Sequence, residues 1–280
     1  MRRALHILMV GTAFLVFFVG AFAISWIVVP LLSLGFDREA RRRRFRAMAR
    51  VANRGFIRYC RLIRMIEIRW PPLPPGFPEG GYVMIANHPT LIDVTIVMER
   101  FPELSTVVGR KWFAKPSLGR MITAAGWIPA SSPDDDDDGT PTLDAMVEIL
   151  RAGTPMIIFP EGTRSDKDRL RRFHRGAIEA AIRAEVPIVP LFIAPNQPLL
   201  MRGQHWYEAH RGTAVYTLEL WPVIDTAGAD LDAREVSREL FARYKARFAR
   251  MLAERDAAEA LAAGRPAPAL TAGDGAPEAD

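Results

Sequence analysis

Two short polar clusters carry the side chains that acid–base and acyl-transfer chemistry would use. The first, Asn87-His88-Pro89-Thr90-Leu91-Ile92-Asp93, directly follows the apolar run at residues 82–86. The second, Phe159-Pro160-Glu161-Gly162-Thr163-Arg164-Ser165, directly follows the apolar run at residues 156–159. In the first cluster an imidazole and a carboxylate stand five positions apart. On one continuous helix they would point roughly 140° away from each other. Pro89 breaks that continuity: it biases the residue before it away from the α region and itself suits the first position of a helix. His88 is therefore placed in a strand-to-helix turn, with Leu91, Ile92, Val94, Val97 and Met98 continuing as a mostly buried helix. From that turn Asp93 reaches back to His88, the arrangement of a general base held in one tautomer by a carboxylate. A plainer reading stands beside it, with His88 as a cap and Asp93 as an acid at the positive end of a helix.

Together the two clusters resemble the glycerolipid (lysophospholipid) acyltransferase family, whose hallmarks are an Asn-His with an Asp shortly after it and a downstream Phe-Pro-Glu-Gly-Thr-Arg-Ser block. A third family block, Val-Pro-Ile-Val-Pro, stands at residues 186–190, so the resemblance runs from about residue 80 to residue 190 with the blocks in family order. It implies a membrane-bound O-acyltransferase that moves a fatty acyl group from acyl-ACP or acyl-CoA to the hydroxyl of a lysophospholipid such as 1-acyl-glycerol-3-phosphate. The transfer would be direct, with no acyl-enzyme, no metal, and no cofactor beyond the thioester co-substrate. His88 would be the base and Asp93 its orienter, with Glu161, Gly162, Thr163, Arg164 and Lys111 on the substrate side. Lys111, with Arg110 and Lys115, resembles the basic stretch that precedes the family's second block. That block usually ends in an arginine, and Ser132 stands in its place here, followed by the acidic run at residues 134–138. The departure leaves a specialised acceptor open, an ornithine lipid or a polyene-pigment lipid. A non-catalytic membrane lipid-binding protein is the reading from another class, and the presence of His88, Asp93, Glu161, Gly162 and Arg164 together argues against it.

The residue types fit such chemistry on their own terms. Arg164 suits an acceptor phosphate, because a guanidinium binds phosphate oxygens in pairs. Glu161 either positions the acceptor or its loop, or pairs with Arg164. Asn87 either donates to the site or shapes the turn. Arg169, Arg171, Arg172 and Arg175 either replace the missing arginine or are surface charge, and His174 has no carboxylate at a comparable spacing. The acidic run reads as a solvated loop rather than a metal site, since consecutive carboxylates rarely converge on one ion.

The elements that must position these groups follow from the pattern. Apolar strands at residues 65–70, 82–86, 106–108, 127–128, 155–159, 188–193 and 213–221 alternate with helical stretches at 116–125, 143–152 and 175–184. This argues for an α/β domain, residues 71–225, with a mostly parallel sheet flanked by helices and its active site past the carboxyl ends of strands. A helix follows at 226–263 and a Pro, Ala and Gly tail at 264–280 is expected to be disordered.

Ahead of the domain, residues 4–36 contain no Asp, Glu, Lys or Arg, long enough for a membrane helix within an anchor at residues 1–36. The heavier positive flank, Arg38, Arg41 to Arg44, Arg46 and Arg50, puts the rest of the chain on the cytoplasmic side of the inner membrane. The resemblance adds that the anchor need not span fully. Residues 37–70 hold a basic amphipathic helix and the first strand. The helix has an apolar stripe at Phe45, Met48, Ala52, Phe56, Tyr59 and Ile63 and an arginine face that includes Arg46, Arg50, Arg54, Arg58 and Arg61, suited to lying on anionic headgroups or, in the plainer reading, to packing on the domain with a solvated arginine face. The net charge of +5 is thereby assigned to membrane lipids and not to nucleic acid, and no nucleic-acid recognition motif is present. Cys60 is the only cysteine, so no intramolecular disulfide forms. The sequence does not specify an oligomeric state.

Overall fold

A computed structural model describes residues 2–33, 37–101, 103–131, 139–208, 212–228 and 230–265. Ser132, the acidic run at 134–138 and the tail beyond residue 265 lie outside them.

Three of the strands carry the architecture: β2 (Val83–Ala86), β5 (Met156–Ile158) and β6 (Ile188–Pro195) are buried at every position. Strands of this kind belong in the middle of a sheet covered on both faces. The sheet has seven strands in the order β1-β7-β6-β2-β5-β3-β4, with β1 at Ile66–Arg69, β3 at Ser105–Val108, β4 at Ile128–Pro129 and β7 at Ala214–Leu220. All neighbours are parallel except β6 and β7. On one face pack α6 (Thr140–Arg151), α7 (Gly176–Ala184) and α8 (Ala233–Ala262); on the other pack α3 (Arg38–Leu62) and α4 (Asp93–Arg100). The short α5 (Gly119–Ala125) leads into the edge strand β4. The α8 stripe is regular, with Val236, Leu240, Tyr244, Phe248 and Met251 buried at helical spacing.

At the centre of the sheet two side chains stand between β2 and β6. The Tyr244 hydroxyl, fully buried, accepts from the Leu191 N–H (2.9 Å) and donates to the Ile85 carbonyl (2.7 Å). One step further on, the Asn87 amide bonds both backbone groups of Ile193, at 2.9 and 2.7 Å. Asn87 is thus a backbone mimic that fixes the end of β2, and the alternative that it donates to the site is set aside.

The helix after Pro89 begins later than expected, at Asp93. Leu91 and Ile92 form a turn instead, because the Thr90 N–H and hydroxyl both bond the Asp93 carboxylate and close the chain on itself before the helix starts.

The N-terminal region differs more. Ala4–Leu32 is apolar and long enough to cross a membrane by length and composition. It comprises α1 (Arg2–Ala23), a π turn (Ile24–Val28) and α2 (Val29–Leu32). Pro30 has no N–H and its ring crowds the carbonyl four residues back. The Val29 N–H accordingly reaches Ile24, one residue beyond the α register. One side of α1 lies on the protein, with Val10, Ala13 and Ala21 buried. One apolar side of α3 is likewise taken by protein: Phe45, Ala49, Ile57 and Cys60 are buried against the domain, and Phe56 meets Phe17 of α1. Arg46, expected on the exposed arginine face, is buried between Glu39 (2.8 Å) and Thr154 (3.4 Å), since its position falls on the side of α3 that faces the sheet. Arg54, Arg58 and Arg61 are exposed as expected.

Tyr244→Phe leaves Leu191 N–H and Ile85 C=O buried without their hydroxyl partner. The expected cost is about 1–3 kcal/mol, read as a lowered thermal midpoint of the purified protein.

Candidate active site

Because β2 and β5 are parallel neighbours, their carboxyl ends fall on one edge of the sheet, and clusters 73 positions apart in the chain become adjacent. His88 sits in the turn after β2 with its Nδ1 2.9 Å from Oδ2 of Asp93. A carboxylate only accepts, so Nδ1 carries a proton. Asp93 is fully buried and held on both oxygens, by the Thr90 N–H at 2.6 Å and the Thr90 hydroxyl. The Thr90 hydroxyl in turn accepts from Tyr216 of β7 at 3.3 Å, and Tyr216 is fully buried. The Phe159 ring lies against the imidazole with centroids 4.3 Å apart. His88 is left with 16% of its side chain exposed, enough to meet a substrate.

Glu161, 3% exposed, joins the two loops. One oxygen accepts from the His88 N–H (3.0 Å) and the Ser165 hydroxyl (2.8 Å); the other accepts from the Arg171 N–H (2.9 Å). Burial pushes its pKa up, and these donors oppose the shift without cancelling it. The contact is closed by the Ser165 N–H on the His88 carbonyl at 2.8 Å. The alternative of a Glu161–Arg164 ion pair is corrected here: the carboxylate is spent on backbone and Ser165. Gly162 has φ +68°, the left-handed region that side chains resist, and beyond it lies the His174 ring. Thr163 is exposed beside it.

Arg164 is half-buried and donates through Nη1 to the carbonyls of Leu200 (2.8 Å) and Met201 (3.1 Å). Burial lowers its pKa, the nearby Asp93 charge opposes that, and Arg202 reinforces it. The Leu200–Met201 segment also takes the Leu91 N–H on the Leu200 carbonyl, so one loop ties Arg164 to the His88 turn. Arg169, Arg171 and Arg202 share the Asp166 carboxylate, while Arg172 and Arg175 are exposed. Lys111 is exposed in the 3-10 turn Arg110–Trp112 after β3, at the same edge of the sheet, and none of the bonds that assemble the cluster reaches it. Cys60 is buried, and burial pushes its thiol up to about 12, which removes it as a nucleophile. Among the described residues no three His, Cys, Asp or Glu side chains converge on a metal position.

Sequence reasoning passed over Thr90, Ser165, Tyr216 and the Leu200–Met201 carbonyls. Thr90 had a signal, since Thr-x-x-Asp is the pattern of a capping box. Tyr216 had none.

A buried carboxylate thus orients a partly buried imidazole next to a cationic edge. The family model described as Acyltransferase matches residues 71–194, the stretch that contains both clusters. These residues are thus similar to the acyltransferase family. The domain is similar to a 1-acyl-sn-glycerol-3-phosphate acyltransferase of Cocos nucifera, 31% identical over 42% of this chain and 38% of that protein. It is also similar to the Mus musculus 1-acyl-sn-glycerol-3-phosphate acyltransferase alpha, 25% identical over 60% of this chain and 57% of that one. The chain thus spans only part of the length of the curated relatives it matches. Its fold resembles the crystal structure of the 1-acyl-sn-glycerophosphate (LPA) acyltransferase PlsC from Thermotoga maritima. The TM-score is 0.68 and the identity 17%, over 90% of this chain and 98% of that one.

In this domain, Glu161→Gln keeps one acceptor oxygen and turns an NH2 group toward another donor. Stability is expected to fall by about 1–3 kcal/mol, with faster hydrogen exchange at the His88 and Arg171 amides. Unchanged exchange at both would show that Glu161 does not hold the loops.

Proposed function

We propose that the protein is a membrane-bound O-acyltransferase that moves a fatty acyl group from a thioester, acyl-CoA or acyl-ACP, to the free hydroxyl of 1-acyl-glycerol-3-phosphate. The observation that carries the reading is the His88–Asp93 pair at 2.9 Å, with the carboxylate buried and the imidazole open on its other side. His88 Nε2 takes the proton of the acceptor hydroxyl as its oxygen attacks the thioester carbonyl. The tetrahedral intermediate then collapses, the C–S bond breaks, and the leaving thiolate receives that proton back from His88. No covalent acyl-enzyme is needed, in keeping with the inert Cys60. Asp93 holds the imidazole in the required tautomer, and Thr90 holds Asp93. Arg164, with Arg202 close by, offers the acceptor phosphate a cationic edge, and Gly162 and Thr163 form the exposed turn over which the acceptor enters. Lys111, exposed at the same edge, is available to a second phosphate such as that of the donor.

The membrane part of the proposal rests on α1 and α2. One side is committed to protein, while Leu8, Leu15, Val19, Phe22, Ile27 and Leu31 are exposed on the remainder. A helix packed along a folded domain does not have lipid all round it. We therefore place its open face in the cytoplasmic leaflet of the inner membrane, with the catalytic site facing the cytoplasm.

The test is acyl transfer by the membrane-reconstituted chain, offering labelled acyl-CoA or acyl-ACP against lysophosphatidic acid. His88→Ala is expected to abolish turnover with the fold intact. Thr90→Val should lower kcat about tenfold at unchanged KM, the loss of one charge-assisted hydrogen bond to Asp93. Activity of a folded His88→Ala variant close to that of the parent would sink the mechanism. Absence of conversion by the folded parent would move the acceptor to a lipid alcohol without the phosphate. Separately, the full chain should sediment with membranes and resist carbonate extraction; recovery in the soluble fraction would refute the membrane placement.

A further inference from the structure

A cavity of about 630 Å³ lies between α2, the first turns of α3 and α5, and none of the residues that assemble the His88 cluster lines it. Its walls combine four arginines, Arg38, Arg41, Arg42 and Arg120, with apolar surface from Val29 and Phe113. Among the described residues no Asp or Glu lines it. Of the acids nearest in sequence, Asp37 caps α3 through the Ala40 N–H at 2.8 Å, and Glu39 bonds Arg46 at 2.8 Å and pairs with one lining arginine, Arg42, at 3.7 Å. Among the described residues no carboxylate pairs with Arg38, Arg41 or Arg120.

The walls are fixed in place. Arg42 lies flat on Gly126, where an added Cβ would stand 2.7 Å from its Nε. The Arg120 guanidinium stacks 3.8 Å over the Trp26 ring, whose Nε1 donates to the Pro116 carbonyl at 2.9 Å. The Ser25 hydroxyl, fully buried, donates to the Ser117 carbonyl at 2.9 Å. These contacts hold the π turn against Arg120 of α5 and the segment that leads into it.

We propose that this cavity binds the phosphodiester headgroup of an anionic membrane phospholipid. Several guanidiniums without carboxylate partners around one space suit a phosphate, which accepts paired bonds from each. The position selects a lipid over a soluble anion. The cavity opens where the apolar helix ends, with Val29, Pro30 and Phe113 as apolar wall, and Ile27 (60% exposed) and Leu31 (65% exposed) belong to the same end of the helix. A phosphate seated among the arginines therefore has apolar surface next to it for an acyl chain. The lipid fastens the end of the helix to α5 and α3 and is not the substrate of the transfer site.

The test uses the full chain in a neutral detergent, where no anionic bilayer attracts arginines in general. Phosphatidylglycerol is titrated and the bound lipid counted by native mass spectrometry. One tightly held lipid per chain is expected. Arg38→Gln with Arg41→Gln should weaken it about tenfold or more, whereas Arg54→Gln with Arg58→Gln, the same charge removed from exposed positions of α3, should not. Thr123→Trp, which fills the cavity from α5 without altering charge, should weaken it too and guards against a charge variant that misfolds. Equal loss in the two arginine pairs, or no retained lipid in the parent chain, overturns the proposal. Competition by inorganic phosphate at equal concentration would make the cavity a site for soluble anions, and displacement by coenzyme A would assign it to the donor; either also overturns it. Because none of these measurements uses turnover, failure here leaves the transfer reaction untouched.

Discussion

Taking the Glu161 carboxylate out of water costs several kcal/mol, and its raised pKa shows that burial is not fully offset. The chain keeps it because the carboxylate gathers three donors from three places: the turn after β2, the serine that ends its own block, and the strand-less segment leading to α7. Each such bond to a charged acceptor contributes about 1.5–3 kcal/mol, so the set offsets part of the desolvation. What it yields is geometry. His88 donates its backbone to Glu161 and its imidazole to Asp93, and is therefore positioned from both sides before any substrate arrives.

That geometry depends on how the sheet is put together. Parallel β2 and β5 deliver both clusters to one edge, while Tyr244 and Asn87 set the spacing between β2 and β6 just where β2 gives way to the His88 turn. The antiparallel pairing of β6 with β7 brings Tyr216 beneath that same turn. Polar side chains inside an apolar sheet are costly unless bonded, and Tyr244, Asn87 and Tyr216 have their partners, so they locate the strands as well as tolerating burial.

The N-terminal helix is coupled to this arrangement. Phe14 of α1 meets Trp206, and a Cβ on Gly11 would touch the same ring. Trp206 belongs to the loop whose Leu200 and Met201 carbonyls hold Arg164. The segment that carries the apolar surface therefore also braces the loop behind the cationic edge, and the far end of that segment closes the arginine-lined cavity.

Much of this was present in the residues taken alone. The alternation of apolar runs with helical stretches specified a mostly parallel α/β sheet, the two polar clusters stood immediately after strands, and the uncharged stretch ahead of Arg38 announced a membrane-competent helix. These are local signals, written in composition and short spacing. The start of α4 was misplaced because Thr90 and Asp93 closed a turn that Pro89 alone does not reveal. The orientation of α3 was misread because it has apolar residues on two sides, and periodicity does not say which neighbour covers each; burial of Arg46 followed from that packing. The partners of Glu161, the support of Thr90 by Tyr216 and the hold of Leu200 and Met201 on Arg164 were decided by the tertiary structure alone. Each joins residues remote in the chain, and such bonds exist only once strand order and register have been set by packing across the whole sheet, which leaves no trace in the spacing of any one segment.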